Sequence, residues 1–190
     1  MYSTVLLPTD SFVPIPWKNG GGITLDIFRG RGLERVAGDD WDWRLSMARL
    51  DGDGPFSAFD GIDRVLTFLG PGTLRLRGGA TDVTLQPLQA LAFDGGIPFE
   101  GQVDAPPSWD LNLMGRRERV QVQAETLPGP VTRRIKAGDV LGLLALQGDG
   151  VLGDLPVAQG AVGLLQATGD AEIRLGADRG AVVAFVVHAL

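Results

Sequence analysis

Lys18 and Asn19 stand directly ahead of three glycines in the run Trp17-Lys18-Asn19-Gly20-Gly21-Gly22-Ile23-Thr24-Leu25-Asp26-Ile27. These are residue types suited to holding a small anion. Lys18 brings a positive charge, Asn19 an amide donor, and Gly20 and Gly21 a backbone that can take positive φ and approach another group closely. Four more polar clusters share residues 1–117: Thr24 with Asp26, Arg44 with Ser46, Arg64, and Asp110 with Asn112 and Met114. An arginine can clamp a carboxylate through two parallel hydrogen bonds. Asn19, Asn112, Thr24 and Ser46 can donate or accept and so read an amide or imino group. Asp26 and Asp110 can accept from a ligand N–H or balance the arginines. The combination suits a small acidic molecule bearing an amide, such as an acylated amino acid. The same residues would also serve as a plain surface turn and as solvent-facing strand faces.

Catalytic chemistry is less well supplied. Asp26 and Asp110 could act as a general acid/base pair if the fold brought them together. Ser46 has no histidine near it in sequence. The glycine run lacks the Gly-Lys-Ser/Thr ending of a phosphate-binding loop. The chain has no cysteine and one histidine, His188, which removes thiolate nucleophiles, thiolate metal sites and any centre needing two imidazoles. His188 lies in an apolar closing strand and reads as a satisfied core or terminal residue. Trp17 or Trp43 could wall a pocket, while Trp41 and Trp109 read as core and rim.

The elements that must position these groups are strands. Apolar Ile23, Leu25 and Ile27 alternate with Thr24 and Asp26, and Leu111 and Leu113 alternate with Asp110, Asn112 and Met114, the period of a half-buried strand. Arg64 shares a strand face with Leu66 and Phe68. Short runs of this kind, broken by Gly, Pro or Asp, recur along the chain. Its 28 glycines and 12 prolines imply many turns and few long helices, so an all-β fold is expected. Val65–Leu74 resembles Leu143–Leu152, Gln89–Phe93 falls against Gly163–Ala167, and Trp109–Met114 against Val182–Val187. These pairings predict two related β-barrels, divided near residues 116–130. The expected units are residues 1–117, with a polar pocket, and 118–190, a more apolar, packed barrel.

A net charge of −6 and a pI near 4.7 argue against nucleic acid or an anionic membrane surface as partner. No signal peptide is visible at the start, and the apolar run 181–190 is too short to span a bilayer. A cytoplasmic protein, with a homodimer as a possible assembly, is the expectation.

Four segments, in order, resemble the HutD/Ves family: Trp17-Lys-Asn-Gly-Gly-Gly-Ile-Thr24, Trp41-Asp-Trp-Arg-Leu-Ser46, Gly54-Pro-Phe-Ser-Ala-Phe-Asp-Gly-Ile-Asp-Arg64 and Asp110-Leu-Asn-Leu-Met-Gly-Arg-Arg117. The resemblance implies a bicupin, two jelly-roll barrels in one chain. It implies a pocket at Lys18, Asn19, Arg64, Asp110 and Asn112, with Arg44 and Ser46 nearby. It also implies an association with histidine utilisation through binding of a breakdown product such as formylglutamate or urocanate. The histidines of metal-binding cupins are missing here, so no metal or other cofactor is expected. The resulting expectation is a small-molecule-binding protein; a metal-independent isomerase or lyase using Asp110 or Asp26 as base is the alternative.

Overall fold

Period-two patterning builds strands from end to end of the computed structural model, which describes residues 1–17 and 20–190. The candidates Lys18 and Asn19 lie outside the described residues. The strands of the first half are β1 (Tyr2–Leu7), β2 (Val13–Pro16), β3 (Gly22–Arg31), β4 (Glu34–Arg35), β5 (Trp43–Leu50), β6 (Gly54–Phe56), β7 (Ile62–Gly70), β8 (Leu74–Gly78), β9 (Thr81–Leu85) and β10 (Ala90–Asp94). Then come β11 (Phe99–Val103), β12 (Ser108–Arg116), β13 (Val120–Leu127), β14 (Val131–Ile135), β15 (Val140–Ala145), β16 (Gly150–Leu152), β17 (Leu155–Val157), β18 (Val162–Ala167), β19 (Ala171–Gly176) and β20 (Val182–Ala189). A 3-10 turn at Thr9–Ser11 is the sole helical element among the described residues. No helix there is long and apolar enough to cross a membrane.

The strands make two jelly-roll barrels, so the fold is a bicupin. In the first barrel the sheet β10-β7-β12-β5-β3-β2 faces the sheet β6-β11-β8-β9. In the second, β1-β18-β15-β20-β13 faces β14-β19-β16-β17. The order β10-β7-β12-β5 repeats as β18-β15-β20-β13, and each of the three sequence pairings joins strands at the same place in this order. The amino-terminal strand crosses over: β1 pairs antiparallel with β18 and edges the second barrel's large sheet.

Alternation then sorts side chains into three cores. Leu66 and Phe68 meet Leu74, Leu76 and Phe99 inside the first barrel. Leu141 and Leu143 meet Ile135, Leu152 and Leu175 inside the second. The opposite faces of the two large sheets pack on each other through Trp43, Leu45, Leu111, Leu113, Val183 and Phe185. Trp43 is fully buried there, stacked on Phe28 at 4.8 Å between centroids and tilted against Phe185 at 6.1 Å. Trp43 therefore belongs to the core between the barrels and walls no pocket. A register shift between Asp26 and Phe28 in the β3–β5 ladder sends Ile27 and Phe28, neighbours in sequence, into this same core. A bulge of this kind lets one strand serve the apolar interface without losing the polar face ahead of it.

Candidate functional site

The polar groups of four strands fall into register on the inner face of the first barrel's large sheet. Along one row, Phe68, Asp110, Ala48 and Thr24 are neighbours across β7, β12, β5 and β3. The next row is Leu66, Asn112, Ser46 and Asp26, and the third is Arg64, Met114, Arg44 and Arg29. Residues opposite one another lie about 5 Å apart, so Arg64, Asn112, Ser46 and Arg44 form a contiguous polar patch.

At one edge of that patch the glycine run makes the hairpin between β2 and β3. Trp17 N–H donates to the Gly22 carbonyl at 3.0 Å, and Gly20 N–H donates to the Trp17 carbonyl at 3.1 Å. Two of the three glycines are required for different reasons. Gly20 sits at φ +72°, the left-handed region that other residues rarely enter. A Cβ on Gly22 would stand 2.1 Å from the Arg49 carbonyl oxygen, so β3 could not pair with β5 there. The turn lays Trp17 over the sheet, where its indole N–H donates to Thr24 Oγ1 at 2.8 Å.

Two arginines meet this patch in different states. Arg44 Nε donates to Asp26 Oδ1 at 2.7 Å, and Asp26 also accepts from Arg29 Nε at 2.9 and 3.1 Å. No described residue accepts from the two terminal nitrogens of Arg44. Arg64 is buried and largely spent. Its Nε donates to Asn112 Oδ1 at 2.8 Å, its Nη2 donates to the same oxygen, and its Nη1 reaches the Ser57 carbonyl at 3.4 Å. Three rings surround its guanidinium, Phe93 at 5.4 Å, Phe56 at 5.6 Å and Phe59 at 6.0 Å. Phe56, Ser57 and Phe59 all come from the segment that leads into Arg64, so this stretch of chain builds its own cage for the cation.

Asn112 passes the interaction on, since its Nδ2 donates to Asp110 Oδ1. Asp110 is wholly buried, and its Oδ2 has no partner among the described residues. Burial pushes its carboxyl up to about 6, against the pull of the Arg64 charge and hydrogen bonds from Asn112 and the Ala48 backbone. Burial likewise brings Arg64 down to about 10, with the Asp110 charge opposing and Arg44 adding to the effect. Arg64 thus stays charged at neutral pH.

Above the patch lies a cavity of about 500 Å³, a size suited to a metabolite. Thr24, Arg44, Ser46, Arg64, Asn112 and Met114, all candidates from the sequence, line it. Trp17, Ile15, Pro16, Phe56 and Phe59 form its apolar walls. Among the described residues, two guanidinium groups and no carboxylate are in the lining. Gly20 and Gly21 do not line it, and Gly20 has its N–H on Trp17, so the loop acts here by placing Trp17 rather than by offering that amide. Asp110 lies behind Asn112 in the wall. Asp26 and Asp110 sit on strands that flank β5 on opposite sides, about 10 Å apart by strand spacing, so they do not share a proton site. Phe56 and Phe59 are not among the site candidates that the sequence offers; their signal there is a position a few residues ahead of an arginine.

The cupin fold raises the question of a metal. The side chains at the cavity are guanidinium, amide, hydroxyl and thioether groups, and no group of three His, Cys, Asp or Glu capable of holding an ion occurs among the described residues. This donor set does not fit a hard or borderline cation.

The model of the HutD family matches residues 9–182. A Pseudomonas putida protein, described as an uncharacterized 21.2 kDa protein in the hutC 3′ region, is 34% identical over 139 residues, covering 72% of this chain and 70% of its own. Protein Ves of Citrobacter koseri is 34% identical over 149 residues, covering 76% of this chain and 75% of its own. The solved structure of HutD from Pseudomonas fluorescens SBW25 superposes with a TM-score of 0.86 at 24% identity, covering 99% of this chain and 100% of that one. The family match includes every strand that carries the Arg44–Arg64 cavity, and on it the chain belongs to the HutD family.

Proposed function

We propose that the first barrel binds a small carboxylate metabolite without a metal, and that this binding modulates histidine utilisation. The observation that carries the reading is Arg44. Asp26 fixes its Nε, and its terminal nitrogens have no acceptor among the described residues, which line the cavity with two cations and no anion. A guanidinium held in this way is pre-organised to take a carboxylate. Ser46, Thr24 and Asn112 beside it supply donors and acceptors for an amide, and Trp17 and Phe56 an apolar wall. All three candidate acids carry a carboxylate, joined in formylglutamate to an amide, in formiminoglutamate to a formimino group and in urocanate to an imidazole, each able to donate or accept at these side chains. The relative from the hutC 3′ region of Pseudomonas putida supports the link to histidine breakdown.

Calorimetric titration with these three acids tests the reading. Saturable binding of at least one is expected, and no binding of any at millimolar concentration rejects it. The raised Asp110 carboxyl is the one observation favouring an isomerase or lyase. That second reading requires turnover of a bound acid that Asp110→Asn abolishes while leaving binding intact.

A further inference from the structure

The second barrel is not closed by its apolar strand. A cavity of about 430 Å³ opens between its two sheets, lined by Ile135, Leu141, Leu175 and Ala184 below and by Arg133, Glu125 and His188 nearer the rim, with Arg134 beside them. His188 is the chain's single imidazole. Its Nδ1 stands 3.0 Å from Asp139 Oδ1, within ion-pairing distance. Asp139 is itself buried and anchored through Oδ2 by the Lys136 backbone N–H at 2.8 Å. A buried carboxylate is costly unless it is paired or hydrogen-bonded. Asp139 meets that need through the Lys136 N–H and the His188 ring, the placement carboxylates take behind functional histidines. The other ring nitrogen, Nε2, has no partner among the described residues. Across the mouth, Arg133 on β14 donates to Glu125 on β13, so an arginine there already receives a carboxylate that the chain provides.

We propose that this cavity is a second ligand site, taking an amphipathic carboxylate. The carboxylate lies between Arg133 and the Nε2 edge of His188, and the hydrocarbon body rests on Ile135, Leu141, Leu175 and Ala184. Asp139 backs the ring from the other side, and Glu125 competes with the ligand for Arg133. The site is independent of the first barrel's cavity.

Because the chain has one histidine, the imidazole NMR signals of the full-length protein report on this site alone. Hexanoate is the probe, with acetate and inorganic phosphate as comparisons. Saturable movement of the His188 ring signals by hexanoate is expected, with acetate at least about tenfold weaker because it lacks a body to bury. Arg133→Ala weakens hexanoate about tenfold, and Glu125→Gln tightens it roughly two- to fivefold by freeing Arg133. Both side chains are solvent-accessible, so neither change threatens the fold. Binding is the same in an Arg44→Ala background, which separates this site from the first. Absence of saturation at millimolar hexanoate overturns the proposal. So does equal response to phosphate or acetate, or an unchanged affinity in Arg133→Ala.

Discussion

At the scale of single residues, the two cavity arginines have different work. Arg64 is the cation of a buried chain that runs through Asn112 to Asp110. Arg64→Ala would strand that carboxylate and amide in the interior, and a stability loss of about 3–5 kcal/mol is expected in urea denaturation. Arg44→Ala leaves Asp26 still paired with Arg29, so the fold should survive with little loss. Affinity for the bound acid, measured by calorimetry, should fall by about 1.5–3 kcal/mol. Asp110 makes a pH-dependent contribution. Its carboxyl is raised in the folded state to about 6, so the folded state binds the proton more tightly than the unfolded one. Its contribution is therefore most favourable below the ordinary carboxylate range and is lost as pH rises through about 6. Asp110→Asn removes this slope. Relative to the parent, the variant should gain about 1–1.5 kcal/mol between about pH 5 and about pH 7.5 in urea midpoints converted to free energies. With one negative charge fewer beside Arg64, it should also bind the acid more tightly at neutral pH.

At the scale of elements, the glycine hairpin carries the largest single constraint. It joins an edge strand to β3 and sets the indole of Trp17 over the cavity. Gly20→Ala must hold an L side chain at φ +72° and should cost about 1 kcal/mol. Gly22→Ala meets the Arg49 carbonyl and should cost more, about 1–3 kcal/mol, while also weakening ligand binding through the displaced Trp17. Thermal denaturation of the two variants beside the parent checks the order. If Gly20→Ala proved the worse, the close approach of β3 to β5 would not be what the glycines serve. The strand face was legible before the fold was known, since Asp110, Asn112 and Met114 are set apart from Leu111 and Leu113 by period two. Which polar faces would be neighbours was not legible, because register depends on turn lengths and on the bulge in β3, and a shift of one residue would exchange every face.

At the scale of the whole molecule, the two barrels share a core that includes Trp43, Phe28 and Phe185, and β1 joins the first residues of the chain to the second barrel. Neither barrel can open without exposing this interface, so a single cooperative transition is expected. All four tryptophans lie between residues 17 and 109, so their fluorescence follows the first barrel, whereas far-ultraviolet circular dichroism follows both. Coincident midpoints are the expected result, and separated ones would show that the barrels unfold independently. Phe185→Ala, although it sits in the second barrel, should lower the fluorescence midpoint too, with a loss of about 3–5 kcal/mol.

The amino-acid sequence by itself determined the all-β character, the repeat of strand order and the set of polar strand faces in the first of the two repeats. Those properties follow from local chemistry: alternation, turn residues and the placement of charge along each strand. The tertiary structure alone decided that Arg44 keeps its terminal nitrogens for the cavity while Arg64 spends its own on Asn112. It also decided that Asp110 withdraws behind the wall, that Phe56 and Phe59 enclose Arg64, and that His188 meets Asp139 at a second mouth. The decisive contacts, Arg64 with Asn112 and His188 with Asp139, join residues distant in sequence. Their distances are set by sheet register and by the packing of one sheet on another, which no local pattern encodes.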